Sequence, residues 1–375
     1  MAFLVSFSRG GSDAGVAVTT AVAVSPFGFD SFIKYLLGKQ EPRKSDQKET
    51  RNAQHPTFNA QFKISDHHIN LEHLTLNVSN NLYHTVPKTR AVERLTRHEQ
   101  ASWPARGWLG LILVAVCWPL NWMLPGVRTA YLFFPLWLGY ILLVDALVWR
   151  RTGSSLWIRS RKDFVLLFVI SAPVWWLFEL INLRTANWEY LGRDLLSSLE
   201  FNLLSTLSFS TVMPAVFETA ELMRSFGWLQ RFASGPRAPA TARVFVVLFL
   251  AGVGTLALML SWPKIFYPFA WTSLVLIFEP LNYWTGRPYF LKELRDGDWR
   301  TVISLSLGAL VCGLFWEMWN YYSFPKWVYH IPRLGFWHIF EMPLLGYGGY
   351  VPFALELYAL KNFLWPSGRR LGRDE

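Results

Sequence analysis

Cysteine is almost missing: Cys117 and Cys312 are the only two in 375 residues, and each sits inside an apolar run. That excludes a disulfide framework and a thiolate metal site. The glycine-rich phosphate loops are missing as well, with no Gly-x-x-x-x-Gly-Lys-Ser/Thr and no Gly-x-Gly-x-x-Gly. Neither a Gly-x-Ser-x-Gly elbow nor a His-Glu-x-x-His zinc motif occurs. The Asp-rich pairs with which membrane prenyltransferases hold Mg²⁺ and diphosphate are also absent, and Asp296-Gly297-Asp298 reads as a turn. No metal and no cofactor is expected. Charge is sparse, at 17% of residues.

What is present is apolar. Hydrophobic residues make up 52% of the chain and aromatic residues 17%, with 20 Trp and 29 Phe. They gather into runs whose length calls for lipid as solvent. A net charge of +10 would point to nucleic acid in a soluble protein. Here the basic residues lie in short loops between the runs, so they orient the chain in a membrane. The expected partner is the lipid bilayer, with no nucleic acid.

Residues 1–102 have a different character. The stretch 41–51 is polar and charged, and reads as disordered. Six of the eight histidines fall in this arm, among them His67, His68 and His73, without a recognised metal-ligand spacing. A solvated polar arm is the expectation.

From Gly107 the pattern predicts eight spans: 107–124, 130–149, 164–182, 200–222, 244–262, 266–284, 301–321 and 338–360. Loops on one side of this arrangement carry 22 Lys and Arg, and those on the other carry six. By the positive-inside rule both termini are cytoplasmic, and the chain has the general look of a multi-span protein of the bacterial inner membrane.

Spans one to four repeat as spans five to eight. Glu179 and Glu218 are 39 positions apart, as are Glu317 and Glu356, and Pro214 and Pro352 each precede the second acid by four. An even number of spans per copy makes the repeats parallel. The expected fold class is therefore all-α and polytopic, a four-plus-four internal duplication. Its parts are the arm 1–102, a first membrane repeat 103–235, and a second repeat 236–375 that ends in a short cytoplasmic tail.

Two stretches carry the candidate site. Glu179 and Asn182 precede Trp188 and Tyr190; Glu317 and Asn320 precede Trp327 and Tyr329. Spacing i, i+3 puts each acid and its asparagine on one helix face. Glu317 lies 16 positions into its span, about 24 Å of helix. A carboxylate in that setting costs about 2.5–3.5 kcal/mol on the lenient insertion scale, which favours a functional or buried-network role. Two other readings stay open. Trp and Tyr suit an interfacial belt, and Glu–Asn pairs can hydrogen-bond between helices. The inner acids Asp145, Glu218, Glu279 and Glu356 lie near arginine-rich loops and are expected to form surface ion pairs.

Trp327-Val328-Tyr329, Gly335 and Phe340-Glu341-Met342-Pro343, with a fainter copy at Trp188-Glu189-Tyr190, resemble the membrane-bound lycopene cyclase family of carotenoid synthesis. That family places proline before paired acids, whereas here one acid precedes Pro343. The resemblance implies several short spans, no metal-hydrolase chemistry, and carboxylates in proton-initiated ring closure of an apolar polyene. It implies Glu341 and Glu317 as acids.

Two functions follow as expectations. One is an intramembrane enzyme acting on a lipid or isoprenoid, with Glu317, Glu341 and Glu179 as acid or base. Asn320, Trp327, Tyr329, Asn182, Trp188 and Tyr190 would then bind substrate. The other is a transporter or channel-like protein, with the acids as a proton or cation route.

Overall fold

A computed structural model describes residues 103–332 and 335–365, all within the unit Ala91–Glu375. The polar arm, its histidines and the end of the tail lie outside these residues. The described chain is mostly helical. The main helices are α1 (Ala105–Met123), α2 (Arg128–Thr152), α3 (Arg161–Thr185), α4 (Ser198–Phe209), α5 (Val212–Arg224), α6 (Ala242–Ser261), α7 (Ser273–Trp284), α8 (Arg300–Tyr321) and α9 (Tyr350–Leu364). Two small antiparallel ribbons join them: β1 (Trp188–Leu191) with β2 (Lys326–Tyr329), and β3 (His338–Ile339) with β4 (Met342–Pro343).

Four helices, α2, α3, α6 and α8, are long and apolar enough to cross a membrane. Val246, Val247, Leu250 and Val253 are exposed on the outward face of α6, an apolar patch compatible with a membrane-spanning helix.

Three of the expected spans are interrupted. The stretch 200–222 breaks at Ser210–Thr211 between α4 and α5. The hydroxyls of Ser210 and Thr211 donate to the carbonyls of Leu207 and Ser208, at 2.6 and 2.7 Å, and so end α4. Ser171 of α3 bridges the gap by donating to the Phe209 carbonyl and accepting from the Met213 N–H. Backbone groups freed inside a membrane need such partners.

The stretch 266–284 opens as a 3₁₀ turn, Tyr267–Trp271, before α7. The stretch 338–360 is helical only from Tyr350. Its first part folds into the β3–β4 hairpin, pairing His338 with Pro343 and Ile339 with Met342. Pro343 and the glycines at 346, 348 and 349 are poor helix residues, so the chain turns instead. Pro214 and Pro352 are the third residues of α5 and α9, where a missing N–H leaves no intrahelical bond unmade. The matched prolines mark the starts of two half-helices.

Helix α8 is the packing centre, lying against α5, α9 and α1. Its Gly308 faces the backbone of Val216 and Ala220 on α5, and a side chain there would force the two helices apart. Both cysteines are buried and unpaired with each other.

The inner acids are not surface ion pairs, which corrects the expectation. All four are buried. Asp145 does pair with Arg106, at 2.5 Å, and it also accepts the Trp157 N–H in the single-turn helix Leu156–Arg159. Glu279 accepts the Leu291 N–H at the start of the short helix Phe290–Arg295. Glu356 accepts the Leu274 N–H at the start of α7. These three carboxylates cap helix N-termini, where unpaired N–H groups and the helix dipole favour negative charge. Glu218 is buried next to Asp145 and caps no helix. Asp298 belongs to a turn closed on the Arg300 guanidinium, at 2.8 and 2.9 Å, with Gly297 at φ +88°.

Candidate functional site

The two Trp-x-Tyr stretches are the strands β1 and β2, and they pair with each other. Trp188 stands opposite Tyr329, and Tyr190 opposite Trp327. Alternate residues of a strand share a face, so all four rings project together. They meet the ends of α3 and α8, where the two acids sit.

Asn182 and Asn320 build this join. Asn182 donates to the Trp188 carbonyl (2.8 Å) and accepts the N–H groups of Asn187 and Trp188. Asn320 donates to the Trp327 carbonyl (2.7 Å) and accepts the Trp327 N–H (3.0 Å). Each asparagine thus clamps the backbone of its own strand back onto its helix. The acid one turn earlier then receives the strand's side chains.

Glu179 is half-buried. Its Oε1 accepts the Tyr190 hydroxyl (2.6 Å), the Trp175 Nε1–H (3.0 Å) and the Trp188 Nε1–H (3.2 Å). Glu317 is fully buried. Its Oε1 accepts the hydroxyls of Tyr329 (2.7 Å) and Tyr350 (2.9 Å), and Trp327 Nε1–H donates to the Tyr329 oxygen (3.0 Å). Its Oε2 has no donor.

The two arrangements differ in the strand tryptophan, which donates to the acid itself at Glu179 and to the tyrosine oxygen at Glu317, and in the residue one turn before the acid. Trp175 stands four residues before Glu179, whereas Gly313 stands four before Glu317. A Cβ at Gly313 would overlap the Tyr350 ring. The glycine makes room for that ring, and the Tyr350 hydroxyl takes over the donor role that Trp175 fills at Glu179. Neither Trp175 nor Tyr350 stands out as a site residue in the sequence. The legible signal would have been the Trp-for-Gly exchange at matched positions.

A cavity of about 410 Å³ lies between the two arrangements. Trp175, Trp188, Tyr190, Trp327, Tyr329 and Tyr350 line it, and so do Trp271, Trp316 and Phe353. Trp271 stacks on both Phe178 and Trp188, with centroids at 5.6 and 6.1 Å. Exposed Leu345 and Gly348 also line the cavity, which therefore reaches the surface. Neither carboxylate is in the wall. Each lies behind it, and its hydrogen-bond donors form the wall.

Glu341 is placed differently. It occupies the turn of the β3–β4 hairpin and pairs with Lys326, whose side chain lines the cavity. Both partners are about a fifth exposed, at 23% and 22%. The helix opening expected at Phe340-Glu341-Met342-Pro343 is this hairpin, with Phe340 at φ +59°. Glu200 closes a capping box with Ser197 at the start of α4, and its role there is structural.

Chemically, the site offers an aromatic chamber and hydroxyl groups backed by two carboxyls, one half-buried and one fully buried. Tyrosine can relay a proton between an acid behind the wall and a ligand in front of it. Aromatic faces attract developing positive charge. No protein-family model, curated protein or solved structure matches this chain.

Proposed function

We propose that this chain is an integral membrane enzyme that moves a proton to or from an apolar, unsaturated lipid or isoprenoid. The carrying observation is the cavity whose polar wall atoms turn back onto two acids, Glu179 and Glu317. A proton passes from Glu317 through the Tyr329 or Tyr350 hydroxyl to an unsaturated carbon, and a neighbouring carbon then gives a proton back through the same hydroxyls to the Glu317 carboxylate, which restores the acid. The aromatic faces stabilise the cation between the two steps. This is the kind of chemistry that the resemblance to lycopene cyclases implies, with Glu317 rather than Glu341 nearest the cavity's hydroxyls.

The reading extends to the whole chain. It is an eight-span protein of a bacterial inner membrane, with both termini cytoplasmic and two parallel halves. The interrupted segments count as spans in this reading, with Ser171 satisfying the break at 210–211 and Glu356 the start of α7. Matched acids, asparagines, strands and half-helix starts support the duplication. A transport route is less well supported. The hydrogen bonds of the outer acids end within the aromatic wall, and three inner acids are occupied as helix caps.

The test is to express the protein in cells that make isoprenoids, grow them in D₂O, and analyse the extracted lipids. Wild-type membranes should yield a lipid with deuterium on carbon that control membranes lack. Replacing both relays, Tyr329→Phe with Tyr350→Phe, should lower that yield by about 10²-fold, the usual loss for a proton-transfer group. An unchanged lipid profile across wild type, Glu317→Gln and empty membranes would remove the enzymatic reading. For topology, reporter fusions at Lys264 should lie outside, and those at Arg159 and Arg237 inside. Reversal at two of the three would overturn the orientation.

A further inference from the structure

A second, smaller pocket of about 70 Å³ lies between the start of α3 and the end of α9. Its polar lining is Arg159, Ser160, Asp163, Lys361, Asn362 and Trp365, together with Tyr358. We propose that it binds a phosphate-type oxyanion, supplied either by an anionic lipid headgroup or by free phosphate.

Several features converge on that chemistry. Helix α3 is 25 residues long and begins here, with the Ser160 hydroxyl accepting the Asp163 N–H. The first-turn N–H groups and the helix dipole favour an anion at this end. Asn362 is only 2% exposed, and its Nδ2 has no acceptor. Its orientation is set by Lys361, whose Nζ donates to Oδ1 at 3.3 Å. Since only the oxygen can accept from an ammonium group, the amide N–H₂ is the end left to serve a ligand. A buried amide donor without an acceptor is costly, and an oxyanion would satisfy it.

The charge balance agrees. Arg159 and Lys361 line the pocket. Next in sequence, Arg161 lies over the Trp157 ring (5.5 Å) and Lys162 over the ring of Trp365 (5.4 Å), which lines the pocket. The carboxylates nearby are engaged. Glu221 is paired with Arg159, which also faces Glu218, and Asp163 Oδ1 accepts the Trp365 Nε1–H at 3.3 Å. A pocket of this size has room for more than one water, enough for one tetrahedral oxyanion. The inference does not depend on the chemistry proposed for the larger cavity.

The test uses the full-length protein in uncharged detergent, with thermal melting followed by tryptophan fluorescence. The probes are inorganic phosphate, phosphatidylglycerol in mixed micelles, and phosphatidylcholine as control. Melting should rise with phosphate or phosphatidylglycerol and not with phosphatidylcholine or chloride. A response to phosphatidylglycerol alone identifies the headgroup as the source, and a response to inorganic phosphate identifies the free ion. Lys361→Gln should weaken the response at least tenfold. Lys162→Gln, at an exposed position that leaves the fold intact, should weaken it in the same direction. No response to either anion, or the same response in wild type and both variants, overturns the proposal.

Discussion

Replacing Glu317 with leucine is expected to destabilise the protein by about 2–4 kcal/mol, while replacing it with glutamine leaves melting nearly unchanged. Leucine removes the acceptor of two tyrosine hydroxyls, Tyr329 at 2.7 Å and Tyr350 at 2.9 Å. Each part-buried hydroxyl left without a partner costs about 1–3 kcal/mol. Glutamine keeps an oxygen at Oε1 and can still accept both. It cannot supply the proton, so deuterium transfer should vanish in a protein that melts like the wild type. Equal melting of the leucine variant and the wild type would show that the hydroxyls do not depend on Glu317. Full activity in the glutamine variant would remove the acid from the mechanism.

The second large effect is expected at Gly313. Tryptophan there should destabilise by at least about 3 kcal/mol, the upper range for overpacking a tight interior, because the Tyr350 ring already fills the space. The first half of the molecule suggests the remedy. Trp175 occupies the equivalent position there, and Val212 opens α5 as Tyr350 opens α9. Combining Gly313→Trp with Tyr350→Val should recover most of the loss, since the introduced indole N–H can reach the carboxylate as Trp175 does at 3.0 Å. The single and double variants should therefore be strongly non-additive, by about 2 kcal/mol or more in a double-mutant cycle. Additive losses in melting would mean that the two halves are not built on the same plan at this level.

Residue choices as small as these explain why the site was only half legible. Glu179 and Glu317 stood out because a carboxylate deep in an apolar run is expensive, whatever surrounds it. The asparagines stood out by spacing, but their task did not, since a strand lying across the helix end cannot be read from i, i+3 periodicity. Tyr350 was hidden by its place at the far edge of a glycine-rich stretch, 33 residues from the acid it serves. Glu341 was expected as an acid from the resemblance to lycopene cyclases. The hairpin instead turns it to Lys326.

By itself, the sequence determined the long apolar helices and the recurring order of acids and prolines. Those features follow from composition and spacing, which act locally along the chain. Only the tertiary structure decided where helices break and which acids face the cavity. Pro214 and Pro352 fit equally into a kinked span or the first turn of a new helix, and side chains from other helices choose between the two. Ser171 satisfies the ends at one break, and Glu356 caps the start of α7. The joining of β1 to β2 was likewise settled by contact across some 140 residues, because backbone hydrogen bonds in a membrane must find partners wherever the fold supplies them.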